Sequence, residues 1–329
     1  MKGTARRRAV VSSQEMSANM YEPDPGDAKP PVFEPMEMST AEMMLREAKE
    51  ILDGLGIVFF LRHGTCLGAI RDHALIEWDD DIDIGSIIGL HGLTEEAINL
   101  AAEAFRSRGY DVIVSETDEQ LVVDLSRPGA PMGWTCHRII DDNIYQWPGL
   151  PIPVSLHVNL KRIDFLGENF NVPNPPEEYL RLKYGPEWMI PKRTDFEQDI
   201  LNLMPDAGSS GGLGKIMQLM KRLLQRDTGS LKVLDFDNRP VDGAEVVLAS
   251  TALRAGLVRS STDRDGRTKF DLPSKDFYAI TVRYGDHEEV LYSETLEPGV
   301  DYVYMPDPEV PSLRFSVLAT YHQASEVQD

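Results

Sequence analysis

The chain has 329 residues, of which 42% are hydrophobic, and a formal net charge of −21. That length suits two domains with real cores, and so acidic a balance argues against a general nucleic-acid binder, which needs a cationic surface; a nucleotide substrate stays open, because a bound metal and a few Arg or Lys reverse the sign locally. Two cysteines, Cys66 and Cys136, make no disulfide framework and suit a reducing, cytoplasmic setting, and the sequence offers neither an apolar membrane span nor a secretory leader behind Arg6-Arg7-Arg8.

Residues 1–37 are polar, rich in Pro and Ser and aperiodic, and read as a mobile tail. Ser39-Thr40-Ala41-Glu42 has the capping-box pattern, and Met44, Ala48, Ile51, Leu52 and Leu55 then mark one helical face. Gly54 and Gly56 stop that helix, and a strand is expected over 57–61. A Gly-rich turn, a short helix and a second, acid-loaded strand follow. A further amphipathic helix is expected over 94–108, and strands over 110–115 and 121–125. The segment from Pro175-Pro176 to Gly185 reads as a helix with Pro at its start and Gly at its stop. Gly208-Ser209-Ser210-Gly211-Gly212 is a linker by composition. Short alternating strands come last, over 230–236, 244–249, 267–272, 279–284, 288–292 and 302–305, separated by Gly, Pro, Asn or Asp turns. Such spacing predicts an antiparallel β-sandwich. The expected division is a tail (1–37), an α/β (α+β) domain (38–207), a linker with a basic helix (208–228), an all-β sandwich (229–308) and a C-terminal tail (309–329).

The chemistry concentrates in His63-Gly64-Thr65-Cys66-Leu67-Gly68-Ala69-Ile70-Arg71 and Ile76-Glu77-Trp78-Asp79-Asp80-Asp81-Ile82-Asp83-Ile84. On a strand Asp81 and Asp83 share a face while Ile82 and Ile84 anchor the other. Adjacent carboxylates repel unless a cation sits between them, and a hard divalent ion, Mg²⁺ or Mn²⁺, is the natural occupant. The plain alternative is a solvated acidic turn. The seven histidines show no metal spacing, and Gly208 to Ile216 fails the phosphate-loop pattern at both ends.

The acidic pair behind a Gly-Thr turn resembles the nucleotidyltransferase fold. More narrowly, Gly-Thr-x-Leu-Gly-Ala-Ile-Arg followed by Trp-Asp-Asp-Asp-Ile-Asp-Ile-Gly resembles the LicD/fukutin family. Phe165-Leu166-Gly167, Val172-Pro173-Asn174-Pro175-Pro176-Glu177-Glu178-Tyr179-Leu180 and Lys183-Tyr184-Gly185-Pro186-Glu187-Trp188 are similar to that family's closing motif. The resemblance implies a phosphotransferase that moves a phospho-alcohol such as phosphocholine or ribitol phosphate from a CDP-linked donor to a carbohydrate hydroxyl, releasing CMP. It implies Asp81 and Asp83 as metal ligands. Gly64 and Thr65 then approach a phosphate, Arg71 holds a diphosphate oxygen or else pairs with Asp72 or Glu77, and Tyr184-Gly185 contacts substrate or simply stops the helix. Relatives add a third acid from a later strand; Asp124, a lone acid among strand apolars, is the choice, to complete the metal site or to take the acceptor's proton, with Asp141 and Asp142 as rivals. The residues after it, Ser126-Arg127-Pro128, depart from the family's aromatic pattern. Trp78 is read as packing beneath the acids rather than stacking on a base, and Cys66 as no nucleophile. Rival functions are nucleotidyl transfer with pyrophosphate release, and a non-catalytic glycan- or partner-binding protein.

Arg239-Pro240-Val241-Asp242-Gly243-Ala244 and Thr262-Asp263-Arg264-Asp265-Gly266-Arg267 resemble the carboxypeptidase regulatory-like, or transthyretin-like, sandwich, which implies docking or glycan contact. No candidate catalytic residue lies there. The segment 215–226 carries four positive charges and an apolar stripe; it reads as a helix packed on the catalytic domain, or as a peripheral contact with anionic lipid.

Overall fold

The computed structural model describes residues 35–193, 196–204, 228–253, 256–272, 275–308 and 317–320. The basic segment 215–226 and both expected tails, apart from residues 35–37 and 317–320, lie outside the described residues. Among those described, no helix is long and apolar enough to cross a membrane.

The first domain is built on a five-stranded sheet in the order β1-β2-β5-β4-β3. Its strands are β1 (Phe60–Leu61), β2 (Ile82–Ile87), β3 (Asp111–Glu116), β4 (Gln120–Arg127) and β5 (Ala130–His137). All pairs are antiparallel except β2 with β5. Helices α1 (Met38–Gly54) and α3 (Glu95–Ser107) cover one face. Ile82, Ile84 and Trp134 are buried there, and the Trp134 ring lies 6.4 Å from that of Phe105 on α3. The short helix α2 (His63–Arg71) packs on β2 and on α5 (Pro176–Tyr184). Between β5 and α5 come two hairpins, β6 (Asn143–Gln146) with β7 (Leu150–Pro153) and β8 (Lys161–Phe165) with β9 (Glu168–Val172), and the single-turn helix α4 (Ser155–Val158). Helix α6 (Phe196–Asn202) follows α5.

Helix α1 starts before its expected cap. Glu37 is the N-cap, its carboxylate accepting from the amides of Ser39 (3.2 Å) and Thr40 (2.7 Å) and from the Ser39 hydroxyl. Those bonds hold the Glu37 carboxyl down at about 2. Just ahead of it the Met36 amide donates to the Asp79 carbonyl at 2.9 Å, and Met36 is buried.

The second domain is a sandwich of two four-stranded sheets, β13-β10-β16-β17 and β12-β11-β14-β15. These are β10 (Thr228–Val233), β11 (Glu245–Ala249), β12 (Val258–Ser261), β13 (Arg267–Asp271), β14 (Asp276–Tyr284), β15 (His287–Leu296), β16 (Asp301–Tyr304) and β17 (Ala319–Thr320). The pairing departs from purely antiparallel at one place: β10 and β16 run parallel. Tyr278, Tyr304, Phe270 and Leu231 are among the side chains that fill its core. A third apolar cluster joins the domains, with Leu150, Ile200, Leu201 and Met204 packing against Val247, Ala279 and Val290 of the sandwich.

Candidate active site

The site forms where β1 hands over to α2 and the acidic segment enters β2. Strand β2 begins at Ile82, so Asp79, Asp80 and Asp81 sit in the bend ahead of it and Asp83 is the acid within the strand. The expected pairing of Asp81 and Asp83 along one strand is therefore replaced by a tighter group. One carboxylate oxygen from each of Asp79, Asp80 and Asp81 lies within 4.8 Å of the others. Ile82 and Ile84 anchor the opposite face as expected, both fully buried.

Burial is the largest influence on these carboxyls, with like charge second for the two extremes. It raises Asp79 to about 8, helped by the charges of Asp83 and Asp80. It also raises Asp81, helped by Asp83 and Asp79, and raises Asp80. The Asp79 Oδ2 atom is buried without a hydrogen-bond partner. Gly64 explains how it gets there: a Cβ at that position would stand 2.1 Å from Asp79 Oδ2. A half-buried set of oxygen ligands with an orphaned oxygen is what a hard divalent cation fits.

Asp83 behaves differently. Burial alone would raise it, but hydrogen bonding from His63 and the charges of Arg62 and Lys183 more than offset that and leave it below the usual carboxylate range. His63 Nδ1 lies 3.5 Å and Arg62 Nη1 3.8 Å from the Asp83 carboxylate. Burial, then the charges of Arg62 and Lys183, push His63 down to about 3. His63 is therefore neutral and serves Asp83 as a polar contact, while Arg62 carries the compensating charge. Thr65 is buried and its Oγ1 accepts from the Asp83 amide at 2.8 Å, so it fixes the strand's entry.

Helix α5 closes the site. The His63 amide donates to the Tyr179 hydroxyl at 3.1 Å, which in turn donates to Gln146 Oε1 at 3.1 Å. One turn further along that face, Lys183 is 2% exposed and its ammonium donates to the Trp147 carbonyl. Burial and then Arg62 lower Lys183 to about 7. Tyr184 is half-buried in the same region, its hydroxyl held up by burial, by Tyr179 and by the charges of Asp79 and Asp83. Gly185 has φ +84 and caps α5, its amide donating a hydrogen bond to the Arg181 carbonyl. It is a helix stop.

Register gives the relation of Asp124 to this group. Asp83 pairs with Gly133 across β2 and β5, and Gly133 pairs with Asp124 across β5 and β4. Directly paired residues share a sheet face, so Asp83 and Asp124 project on the side away from α1 and α3, about 10 Å apart at two strand spacings. Gly133 between them leaves open space where a Cβ would stand. Asp124 is solvent-exposed, yet its dense surroundings raise its carboxyl by desolvation. Asp141 and Asp142 are exposed turn residues with φ 50 and 61, the latter's carbonyl accepting from the Val154 amide.

Arg71 does not reach the acids. It closes the far end of α2, about 12 Å from the helix start, and forks onto Asp72 at 2.8 and 2.7 Å. Trp78 packs against the first core, with the Arg193 guanidinium 4.6 Å over its ring. Cys66 is fully buried and its thiol is raised by that burial, the opposite of an activated nucleophile. Sequence reasoning assigned no role to Arg62, His63, Lys183, Gln146, Asp79 or Asp80. Asp79 and Asp80 carried a signal as part of the acid run, His63 as the first residue of the Gly-rich motif and Lys183 as the first of the closing motif, while Arg62 and Gln146 carried none.

Residues 56–175 match the family described as LicD/FKTN/FKRP, nucleotidyltransferase domain. Ribitol-5-phosphate transferase FKTN of Homo sapiens is 25% identical over 189 residues, covering 51% of this chain and 37% of that protein. The Macaca fascicularis protein of the same name gives the same identity and coverage. The chain thus spans little more than a third of the length of these relatives. Among solved structures, the antibiotic-resistance factor ANT(2'')-Ia aligns with 57% of this chain and 93% of its own at 12% identity and a TM-score of 0.34. An antigenic nucleotidyltransferase-like protein from Paracoccidioides brasiliensis aligns with 57% and 90% at 16% identity and a TM-score of 0.31.

Proposed function

We propose, on the footing that residues 56–175 match the LicD/FKTN/FKRP family, that this chain transfers a phospho-alcohol from a CDP-activated donor to a carbohydrate hydroxyl, releasing CMP. The observation that carries this reading is the group of three carboxylates within 4.8 Å, one with a buried and unpartnered oxygen, beside a buried arginine and lysine. That mixture suits a bound diphosphate better than an acceptor sugar alone, since it needs oxygen ligands for a cation and cations for its phosphates.

Asp79, Asp80 and Asp81 would hold Mg²⁺ or Mn²⁺. Such an ion, when bound, neutralises charge on the diphosphate and on the departing CMP. The chain's own residues do the rest. Arg62, fixed against Asp83 and donating to the Thr135 hydroxyl, supports a phosphoryl oxygen. Lys183 adds a second donor from α5. Asp124 receives the proton of the attacking hydroxyl, a task helped by the desolvation that raises its carboxyl above the ordinary value. The open lane over Gly133 is where that hydroxyl enters. Phosphoryl transfer asks for positioning and charge stabilisation, with little covalent work by the protein.

The test is to incubate the purified chain with CDP-choline, CDP-ribitol and CDP-glycerol in Mg²⁺ and to assay nucleotide products. CMP from at least one donor is the expected result. Pyrophosphate from a nucleoside triphosphate, with no CMP from any CDP-alcohol, would replace this reading with nucleotidyl transfer.

A further inference from the structure

The sandwich meets the catalytic domain through an aromatic contact close to the site. Tyr292 on β15 stacks on Trp147, the ring centroids 4.6 Å apart and the planes 25° from parallel. Trp147 sits in the tight turn between β6 and β7, immediately after the fully buried Gln146 that accepts from Tyr179. Its carbonyl takes the Lys183 ammonium, and the same ammonium lies 5.5 Å from the centre of its ring. Trp147 and Tyr184 both pack against the apolar cluster that joins the two domains. Gly149, two residues on, lies so close to the sandwich that a Cβ there would stand 2.3 Å from the Ser250 carbonyl oxygen.

A lysine that is 2% exposed needs its few partners to stay charged and in place. Its hydrogen-bond partner here is the Trp147 carbonyl in a loop, and a three-residue turn between two short strands has little packing of its own. That loop is braced from the sandwich side. We infer that the C-terminal sandwich is a positioning element of the catalytic centre, with Tyr292 acting through Trp147 to hold the Lys183 ammonium in the site. The inference rests on the phosphotransferase reading for its catalytic consequence, though not for the placement of Lys183. Tyr292 itself is a positioning residue.

Two measurements on the full chain test this. Reaction of Lys183 with trinitrobenzenesulfonate, followed by peptide mass spectrometry, reads the position of the amine directly. CMP release from CDP-ribitol or CDP-choline reads its consequence. Tyr292→Ala is expected to label Lys183 at least tenfold faster than the wild type, and to lower kcat about tenfold with KM for the donor within twofold. Tyr292→Phe, which keeps the ring, restores both values. Val247→Ala, which removes apolar area from the same interface two strands away from β15, changes neither. Should Tyr292→Ala fail to fold, Tyr292→Leu keeps the bulk without the aromatic face and takes its place. Unchanged Lys183 labelling in a folded Tyr292 variant overturns the inference, whatever the activity. Faster labelling in a family of proteins that all release no CMP upholds the placement and overturns the phosphotransferase reading instead.

Discussion

Asp79 is the residue on which the site turns, because its environment is both crowded and acidic. An unfolded aspartate titrates near 3.8, whereas Asp79 in the fold titrates at about 8. The folded, metal-free protein therefore keeps a proton that the unfolded chain releases. Stability from this group is full below about 4 and is lost as pH rises through about 8. Melting temperature in EDTA should accordingly fall from pH ~5 to ~8.5, and Asp79→Asn should flatten that slope. A flat wild-type profile would remove the protonated carboxyl from the account. Asp79→Asn and Asp81→Asn should both abolish turnover and Mg²⁺ binding by calorimetry. Asp83→Asn should abolish turnover through the loss of Arg62's partner, with Mg²⁺ binding largely retained. Gly64→Ala is the sharpest single change. Its new methyl would stand 2.1 Å from a carboxylate oxygen that can swing away, so Mg²⁺ affinity should drop at least tenfold while the melting temperature shifts little. The roles of Arg62 and Lys183 were illegible for a common reason. Arg62 ends an apolar run and Lys183 lies on a charged helix; each owes its role to tertiary burial, which local pattern does not encode.

At the scale of elements, α1, α3, β3 and β4 were legible because periodicity and stop signals agree in them. The central strand β5 was not. It reads Ala-Pro-Met-Gly-Trp-Thr-Cys-His, with Pro131 and Gly133 inside it, both poor strand formers. Tertiary pairing on both sides overrides that preference. The same Gly133 keeps the lane between Asp83 and Asp124 open, so the feature that hid the strand is what shapes the site. Asp124 was chosen from sequence as a lone acid among strand apolars, and the register puts it on the face of Asp83. Asp124→Asn is expected to lower CMP release by roughly 10²-fold, the scale of losing a general base, with Mg²⁺ binding unchanged. Gly133→Leu should fill the lane and block transfer to acceptor without unfolding the domain. An active Asp124→Asn beside an inactive Asp141→Asn, in steady-state assays, would move the role to the later residue.

At the scale of the whole molecule, composition separated an α/β half from an all-β half, but it said nothing of how the halves meet. An interface is written in residues that look like any other core or surface apolar, such as Leu150, Ile200, Leu201 and Met204, all buried against the sandwich or beside it. Read from sequence, residues 229–329 hold no catalytic group and look dispensable. The packing predicts otherwise. Removing them uncovers those four side chains, each contributing about 1.5–3 kcal/mol when buried, and leaves Trp147 without its stacked partner. A domain whose net stability is on the order of 5–15 kcal/mol does not absorb that loss without consequence. A chain ending at residue 228 should therefore melt well below the full protein, by more than ~5 °C, and should self-associate through the uncovered patch. Adding Asp at Leu201 and Met204 should restore its solubility without restoring CMP release, because charge hides the patch but does not replace the brace on Lys183. A truncated chain that stays monomeric in sedimentation, melts with the full protein and releases CMP at the full rate would show that the sandwich is a passenger.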